Sequence, residues 1–419
     1  MRSLYRLGVW AYRRALHAAA PFSVKARLWA AGRRNWRTTL PEQLAARRPG
    51  QPLFWMHCAS LGEFEQGRPV LEAWRKRHPE QFVLLTFFSP SGFEIRKDYA
   101  HADAVAYLPA DGARNARDFL DRVRPDRAVF VKYEFWFFYL DELRRRGILT
   151  YLVSAVFRPG QLFFRPWGGF WRDLLGSFTQ IFVQDERSET LLHSIQVTAV
   201  RTGDTRVDRV LDIAANARPL PQIERFVRGR PAFVIGSGWE ADLRILERVV
   251  NHPRWAEHDW CIILAPHDVG ASNVRRLASY FNSTPVLYSE LTETSNATAR
   301  VLLVDTVGLL SSMYQFARVA YVGGGFGTGL HNTLEPVAFG VPVFFGPQHE
   351  KFPEAVELLR LGAARRVGSA EEAELAIQDL AVLPFRAMAK RGIESFLTKN
   401  RGATERVLAY LERDTPEQT

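Results

Sequence analysis

Leu53-Phe-Trp-Met-His-Cys58 is followed by Ala59-Ser60-Leu61-Gly62-Glu63 and then by Gly67-Arg-Pro-Val-Leu-Glu-Ala-Trp-Arg-Lys-Arg-His78. The first piece is a short apolar run, the second a loop of small residues, and the third has helical periodicity. Together they predict a buried strand running through a tight connection into an amphipathic helix. The same unit recurs along the chain. Further strands are expected at 82–86, 104–107, 127–131, 148–154 and 180–183, with helical stretches such as 113–123 after most of them. Such alternation predicts a parallel sheet with helices on both faces.

Residues 215–223, with Pro219 and Pro221 close together, are the expected linker. The pattern then restarts, with strands expected at 232–235, 261–264, 285–288, 301–304, 319–322 and 341–345. The sequence therefore predicts an α/β chain of two doubly wound, Rossmann-like domains facing a cleft. Ligands of such sheets sit beyond the carboxyl ends of the strands. The expected boundaries are a basic amphipathic segment at 1–40, domains at 41–218 and 224–400, and a C-terminal helix and tail at 401–419.

The chain has 419 residues, 47% of them hydrophobic, enough for two or three domains with their own cores. Its two cysteines, Cys58 and Cys261, share no metal-ligand spacing and fit a reducing compartment as small core residues. The net charge of +10 is unevenly spread. Arg2, Arg6, Arg13, Arg14, Lys25, Arg27, Arg33, Arg34 and Arg37 all precede the first acid, Glu42. Leu4, Leu7, Val9, Trp10, Tyr12 and Phe22 lie between them. This mixture suits a helix lying on an anionic membrane, each cation near the surface contributing about 1 kcal/mol. No run reaches the ~18 apolar residues of a spanning helix, and Arg13–Arg14 interrupts any signal-peptide core. The competing reading is a basic helix packed on its own domain. Nucleic acid is not an expected partner, because no zinc-finger spacing or RNA-binding aromatic signature occurs.

Several strand-end loops can carry chemistry. Glu63 sits where a carboxylate can accept a proton from a hydroxyl nucleophile, provided burial raises its pKa. A carboxylate favoured by the helix dipole is the alternative. Ser89-Pro90-Ser91-Gly92 can offer backbone N–H groups to an oxygen-rich ligand or simply cap a helix. Lys132 and Glu134 lie among aromatics at 132–139. The 161–178 stretch interleaves Phe163, Phe164, Trp167, Phe170 and Trp171 with Arg165 and Arg172, as a site meeting acyl chains and phosphates would. The richest segment is 322–347, VGGGFGTGLHNTLEPVAFGVPVFFGP. Its glycines free the backbone to approach a ligand, a helix is expected from Thr333, and His331, Asn332 and Glu335 stand at its start. It is not the dinucleotide fingerprint, because the third required glycine falls on Thr328 or Leu330. No phosphate-binding GxxxxGK[ST] loop and no Asp-x-Asp pair occurs. Gly236-Ser237-Gly238-Trp239 and Ala265-Pro266-His267-Asp268 complete the set of loops.

Taken together, these loops resemble the 3-deoxy-D-manno-octulosonic acid (Kdo) transferases of lipopolysaccharide synthesis, in the form found in Bacteroidetes-like bacteria. The resemblance rests on residues 60–67, 86–92, 132–136, Gly203-Asp204-Thr205-Arg206 and 323–335, and spans nearly the whole chain. It implies a GT-B fold, inversion at the anomeric carbon, no metal or cofactor, and CMP-Kdo as donor. The acceptor it implies is a lipid A precursor, met as a peripheral or monotopic protein at the anionic cytoplasmic face of the inner membrane. Glu63 maps to the family's proposed base, and Asn332 and Glu335 to its nucleotide segment. Gly236, Ser237, Pro266, His267, Gly324, Gly325, Gly327 and His331 are also expected on the donor side, in domain 224–400. Ser60, Gly62, Ser89, Ser91, Lys132, Glu134 and Arg158 are expected on the acceptor side, in domain 41–218. The chain departs from many members at Lys132, where they carry glutamate, and at His267-Asp268, where they carry Arg-His. The alternatives are another GT-B sugar-nucleotide enzyme, such as a UDP-sugar transferase or epimerase, or a non-enzymatic peripheral protein binding anionic lipid. The latter explains the basic terminus but not the glycine loop or Glu63.

Overall fold

The computed structural model describes residues 1–291, 299–327, 329–380 and 383–413. Thr328 and the expected tail beyond Arg413 lie outside the described residues. The chain forms two compact units, Met1–Asp208 with Asn400–Thr419, and Arg209–Lys399.

Unit 1 holds strands β1 (Leu53–Cys58), β2 (Phe82–Phe87), β3 (Ala104–Tyr107), β4 (Arg127–Val131), β5 (Leu149–Ala155), β6 (Gln180–Val183) and β7 (Val200–Arg201). They form one parallel sheet in the order β3-β2-β1-β4-β5-β6-β7. Unit 2 holds β8 (Ala232–Gly238), β9 (Cys261–Pro266), β10 (Val286–Leu287), β11 (Val301–Leu303), β12 (Ala317–Val322), β13 (Val343–Phe345) and β14 (Ala364–Arg366). Its parallel order is β10-β11-β9-β8-β12-β13-β14. Each sheet is buried on both faces, so its central strands read as nearly continuous apolar runs. In unit 1, Trp55, Phe119, Phe130 and Tyr139 fill one face, and Phe54, Phe64, Val70 and Trp74 fill the other. Cys58 and Cys261 are free thiols in these cores.

The chain divides after Asp208 rather than at residues 215–223. Leu220 and Ile223 are buried in the core of unit 2, so the two prolines start a packed helix (Pro221–Val227) instead of spanning a gap. The C-terminal helix Ala403–Arg413 returns to unit 1, where Val407, Leu408 and Leu411 join Phe54 and Met56. Arg77 pairs with Glu405 and Glu412 on that helix, and Arg127 Nε donates to the Leu411 carbonyl.

The first forty residues behave as two pieces. Helix α1 (Arg2–Ala19) buries no residue fully, and Leu4, Leu7, Trp10 and Tyr12 stay exposed. Helices α2 (Val24–Ala31) and α3 (Trp36–Gln43) are part of unit 1, with Ala26, Trp29, Trp36 and Leu40 buried. Arg33 donates to the carbonyls of Leu108 at 2.8 Å and Phe88 at 2.6 Å, and its guanidinium lies over the rings of Trp29, Phe88 and Tyr107. Arg37 pairs with Asp118. The packed-helix reading therefore holds for residues 24–43, and the surface-helix reading is left to α1. No described helix is long and apolar enough to cross a membrane.

Candidate functional site

In unit 1 the strand order reverses between β1 and β4, and crevices at such a switch point are where doubly wound sheets hold ligands. The loop after β1 turns through Ser60 into helix α4 (Leu61–Arg77), placing Glu63 in its first turn. The Ser60 N–H donates to Glu63 Oε2 at 3.1 Å. Glu63 thus caps its own helix, as the dipole argument allows, yet its proton affinity is unusual. Burial raises its pKa to about 8 and the charge of Glu134 adds to this, against the Ala59 and Ser60 amides and Lys132. A carboxyl that titrates near neutral pH suits proton abstraction.

The loop after β4 supplies Lys132, at φ +68°, and Glu134. Glu134 is only 5% exposed and points inward instead of lining an open face. Its Oε2 lies 3.0 Å from His57 Nε2 and accepts from the Trp136 indole. His57, fully buried on β1, has Nδ1 2.9 Å from Thr86 Oγ1 and 3.1 Å from the Thr86 carbonyl. Glu134 is therefore held on one oxygen by two ring nitrogens, and it sets part of the field at Glu63. His57 escaped the sequence reading. Its signal was a lone polar residue in a strand buried on both faces.

The remaining acceptor-side residues are less engaged. Ser89 caps helix α5 (Pro90–Arg96), its N–H donates to the Ala59 carbonyl at 2.7 Å, and its hydroxyl lies 3.0 Å from that of Ser91. This ties the β1 and β2 loops together. Gly62 is an exposed helical residue at which a Cβ would meet nothing, so no tight turn requires it. Arg158 is exposed after β5, and its N–H donates to Gln161 Oε1. In the 161–178 stretch Phe163 and Phe178 are core residues, and Arg172 spends its guanidinium on the Phe163 and Arg165 carbonyls, leaving Trp167 exposed.

In unit 2 the order reverses between β8 and β12, and their loops interlock. The Gly323 N–H donates to the Gly236 carbonyl at 2.9 Å, and the His331 N–H to the Gly323 carbonyl at 3.1 Å. Gly324 has φ +93°, and a Cβ on it would fall 2.3 Å from the Gly329 carbonyl oxygen, so only glycine fits. Asp242, fully buried on the Glu240–Val250 helix, fastens the assembly. Its Oδ2 accepts from the Trp239 and Gly324 amides, each at 3.0 Å, and its Oδ1 from the Tyr321 hydroxyl at 2.8 Å.

Above these loops lies a cavity of about 380 Å³ lined by Gly238, Trp239, His267, Arg276, Gly324 and Gly327, among others. Trp239 stacks on His267 at 4.1 Å, and its Nε1 donates to His331 Nε2 at 3.1 Å. Burial and the neighbouring His267 lower the His331 pKa, which favours the neutral ring that accepts this bond. Of the expected donor residues, His267, Gly324 and Gly327 line the cavity. Gly236 instead packs against Tyr314, a Cβ on Gly325 would strike Gly346, and Ser237 and Pro266 are not among the lining residues. Asn332 and Glu335 pair with each other at 3.1 Å beside the helix Leu334–Ala338. That helix has only five residues, close to the short stretch expected from Thr333, so its dipole is weak. Trp239, the last residue of the Gly236–Trp239 loop singled out in the sequence, brings an aromatic face to the cavity, and Arg244 and Arg276, which the sequence reading passed over, bring two cations. Among the described residues no cluster of three or more His, Cys, Asp or Glu could hold a metal ion.

Residues 33–209 match the family model described as 3-Deoxy-D-manno-octulosonic-acid transferase (kdotransferase). A 3-deoxy-D-manno-octulosonic acid transferase of Bordetella pertussis is 28% identical over 97% of this chain and 99% of its own length. One from Chlamydia trachomatis serovar D is 25% identical over 75% of this chain and 74% of its own. Among solved structures, UDP-GlcNAc 2-epimerase from Neisseria meningitidis, bound to UDP-GlcNAc, aligns with a TM-score of 0.60. It covers 87% of this chain and 100% of its own at 15% identity, a likeness of fold alone.

Proposed function

We propose that the chain is a Kdo transferase, a glycosyltransferase of lipopolysaccharide synthesis, and that it moves Kdo from CMP-Kdo to the hydroxyl of a lipid A precursor; the family match over residues 33–209 and the Kdo transferases similar to it along most of its length support this. The observation that carries this reading is the proton affinity of Glu63, raised to about 8 at the switch point of the unit 1 sheet. Glu63 takes the proton of the acceptor hydroxyl. The freed oxygen attacks the anomeric carbon from the face opposite CMP, and the bond from that carbon to the phosphate oxygen breaks as CMP leaves. The unit 2 cavity suits the donor. Trp239 offers a face for the cytosine, and Arg276, held by Glu240 at 3.1 Å, brings its guanidinium to the same cavity, where a fixed cationic donor stabilises a departing phosphate without reorganising.

The nucleotide assignment has a direct test. CMP raises the melting temperature of the purified protein, and UDP and CDP raise it less. Stronger stabilisation by UDP would favour a UDP-sugar enzyme on the same fold. Product mass after incubation with CMP-Kdo and a lipid A precursor tests the reaction itself.

The membrane reading rests on α1, with its exposed Leu4, Leu7 and Trp10 and its arginines. Deleting residues 1–22 leaves Trp29, Arg33 and Trp36 in place and releases the protein from sedimenting anionic liposomes while the fold melts cooperatively. Truncation through residue 35 instead lowers the melting temperature, because it also removes the Arg33 hydrogen bonds and the buried Trp29. A 1–22 deletion that still pelleted would rule out α1 as the anchor.

A further inference from the structure

Helix α1 touches unit 1 along one line. The Tyr5 hydroxyl donates to Asp111 Oδ2 at 2.6 Å, and the Tyr5 ring packs edge-on against Phe137 and Trp171. Further along, Tyr12 stacks on Phe88 at 6.3 Å and His17 meets Trp29 edge-on at 6.0 Å, and beside these contacts lies a groove of about 360 Å³. Val9 and Tyr12 form one wall, Phe88 and Trp136 the floor, and Arg13 the rim. The groove is almost wholly apolar. Its one carboxylate, Asp111, already accepts from Tyr5, Phe138 and Tyr139. The Tyr12 hydroxyl and the Arg13 guanidinium at the rim offer few partners for the many hydroxyls of a sugar or a nucleotide, whereas an alkyl chain asks for no hydrogen bond.

The floor leads to the candidate acceptor site. Phe88 and Trp136 stack at 4.7 Å, and the Trp136 indole donates to the Glu134 carboxylate held by His57. Phe88 directly precedes Ser89, whose N–H closes the loop against Ala59. At the other end the groove opens beside the exposed apolar side chains and the arginines of α1, which suit a membrane surface and the phosphates of an anionic lipid.

We propose that this groove takes one acyl chain of the glycolipid acceptor, drawing it from the membrane beneath α1 so that the sugar end lies by Glu63 and Glu134. The proposal rests on the reading of the acceptor as an acylated sugar and adds where the chain lies. It makes α1 part of the acceptor site as well as an anchor.

Gly8 gives the test. It lines the groove, and a Cβ built on it meets nothing within 4 Å, so the backbone there has room for a side chain and Gly8→Trp is the substitution that tests filling of the groove. In the full-length protein we expect the preference in kcat/KM for an acylated over a deacylated lipid A precursor to fall at least about tenfold, at roughly fourfold per methylene excluded. Gly8→Leu gives a smaller fall. Sedimentation with anionic vesicles and the KM for CMP-Kdo stay at wild-type values, which separates groove filling from loss of anchoring or of fold. An unchanged preference in a Gly8→Trp protein that folds and pellets normally overturns the proposal. If no form of the protein transfers Kdo to either acceptor, the functional reading fails instead, and the groove is judged by binding of a dansyl-labelled undecanoyl chain. Saturable binding by wild type that Gly8→Trp abolishes supports an alkyl site, and equal binding by both proteins refutes it.

Discussion

Glu63→Gln lowers the turnover number for Kdo transfer by roughly 10²- to 10⁴-fold, the usual worth of a positioned general base, while the KM for CMP-Kdo changes little. The amide keeps the size of the carboxyl and can still accept from the Ser60 N–H, so capping survives and only proton acceptance is lost. Near-normal turnover would remove Glu63 from that role. The pH dependence follows from the same environment. In the wild type kcat/KM rises with pH as Glu63 ionises, with an acidic limb near 8. Glu134→Gln removes a neighbouring negative charge, so the limb moves to lower pH. The stability consequence has a definite sign. The folded-state pKa lies above the ordinary value of 4.5, so the folded chain holds this proton more tightly than the unfolded chain. The stability this confers is complete below about 4.5 and is lost as pH rises through about 8. Glu63→Gln should therefore melt above wild type at pH 9, with the gap closing at lower pH. A wild-type advantage at pH 9 would contradict the buried-carboxyl account.

Asp242→Ala has the largest expected effect in unit 2. It strips the acceptor from the Trp239 amide, the Gly324 amide and the Tyr321 hydroxyl at once, in a fully buried setting. Leaving buried donors unsatisfied costs about 1–3 kcal/mol apiece, so a loss of about 3 kcal/mol or more is expected in the urea unfolding of this unit. Burial also raises the Asp242 pKa, so the carboxylate itself sits at some cost that the alanine relieves, which keeps the loss below the sum of its parts. CMP affinity should fall at least about tenfold, equivalent to 1.4 kcal/mol, because the glycine loop then has to be ordered by the ligand. Calorimetric titration with CMP reads this directly, and unchanged affinity would detach the loop from the donor site.

The sheets were largely legible because a parallel sheet buried on both faces writes each central strand as a nearly continuous apolar run. Leu53–Cys58, Ala104–Tyr107, Arg127–Val131 and Gln180–Val183 have the bounds expected from the sequence. The strands that escaped, Val200–Arg201 and Ala364–Arg366, are two- and three-residue edge strands with exposed arginines and no apolar run to announce them. The candidate site was legible where it depends on loop chemistry, at Glu63, His267 and the 323–335 segment. It was not legible where it depends on tertiary approach. Nothing local in the sequence distinguishes Asp242 from its exposed helical neighbours, or shows that His57 and Glu134 meet, because both contacts form only when separate strand ends converge. The first forty residues misled for a related reason. An arginine beside aromatics reads the same whether it faces a bilayer or, as Arg33 does, stacks within its own fold.

The return of Ala403–Arg413 to unit 1 bears on how the chain is made. Val407, Leu408 and Leu411 complete a core whose other members include Phe54, Met56 and Trp74. During vectorial synthesis that core stays open while the whole of 209–399 is translated, so the later-made unit can mature first. A nascent chain stalled before residue 403 should expose the aromatic face around Phe54 and Trp74 and be a client for chaperones, although most of its residues are already in place.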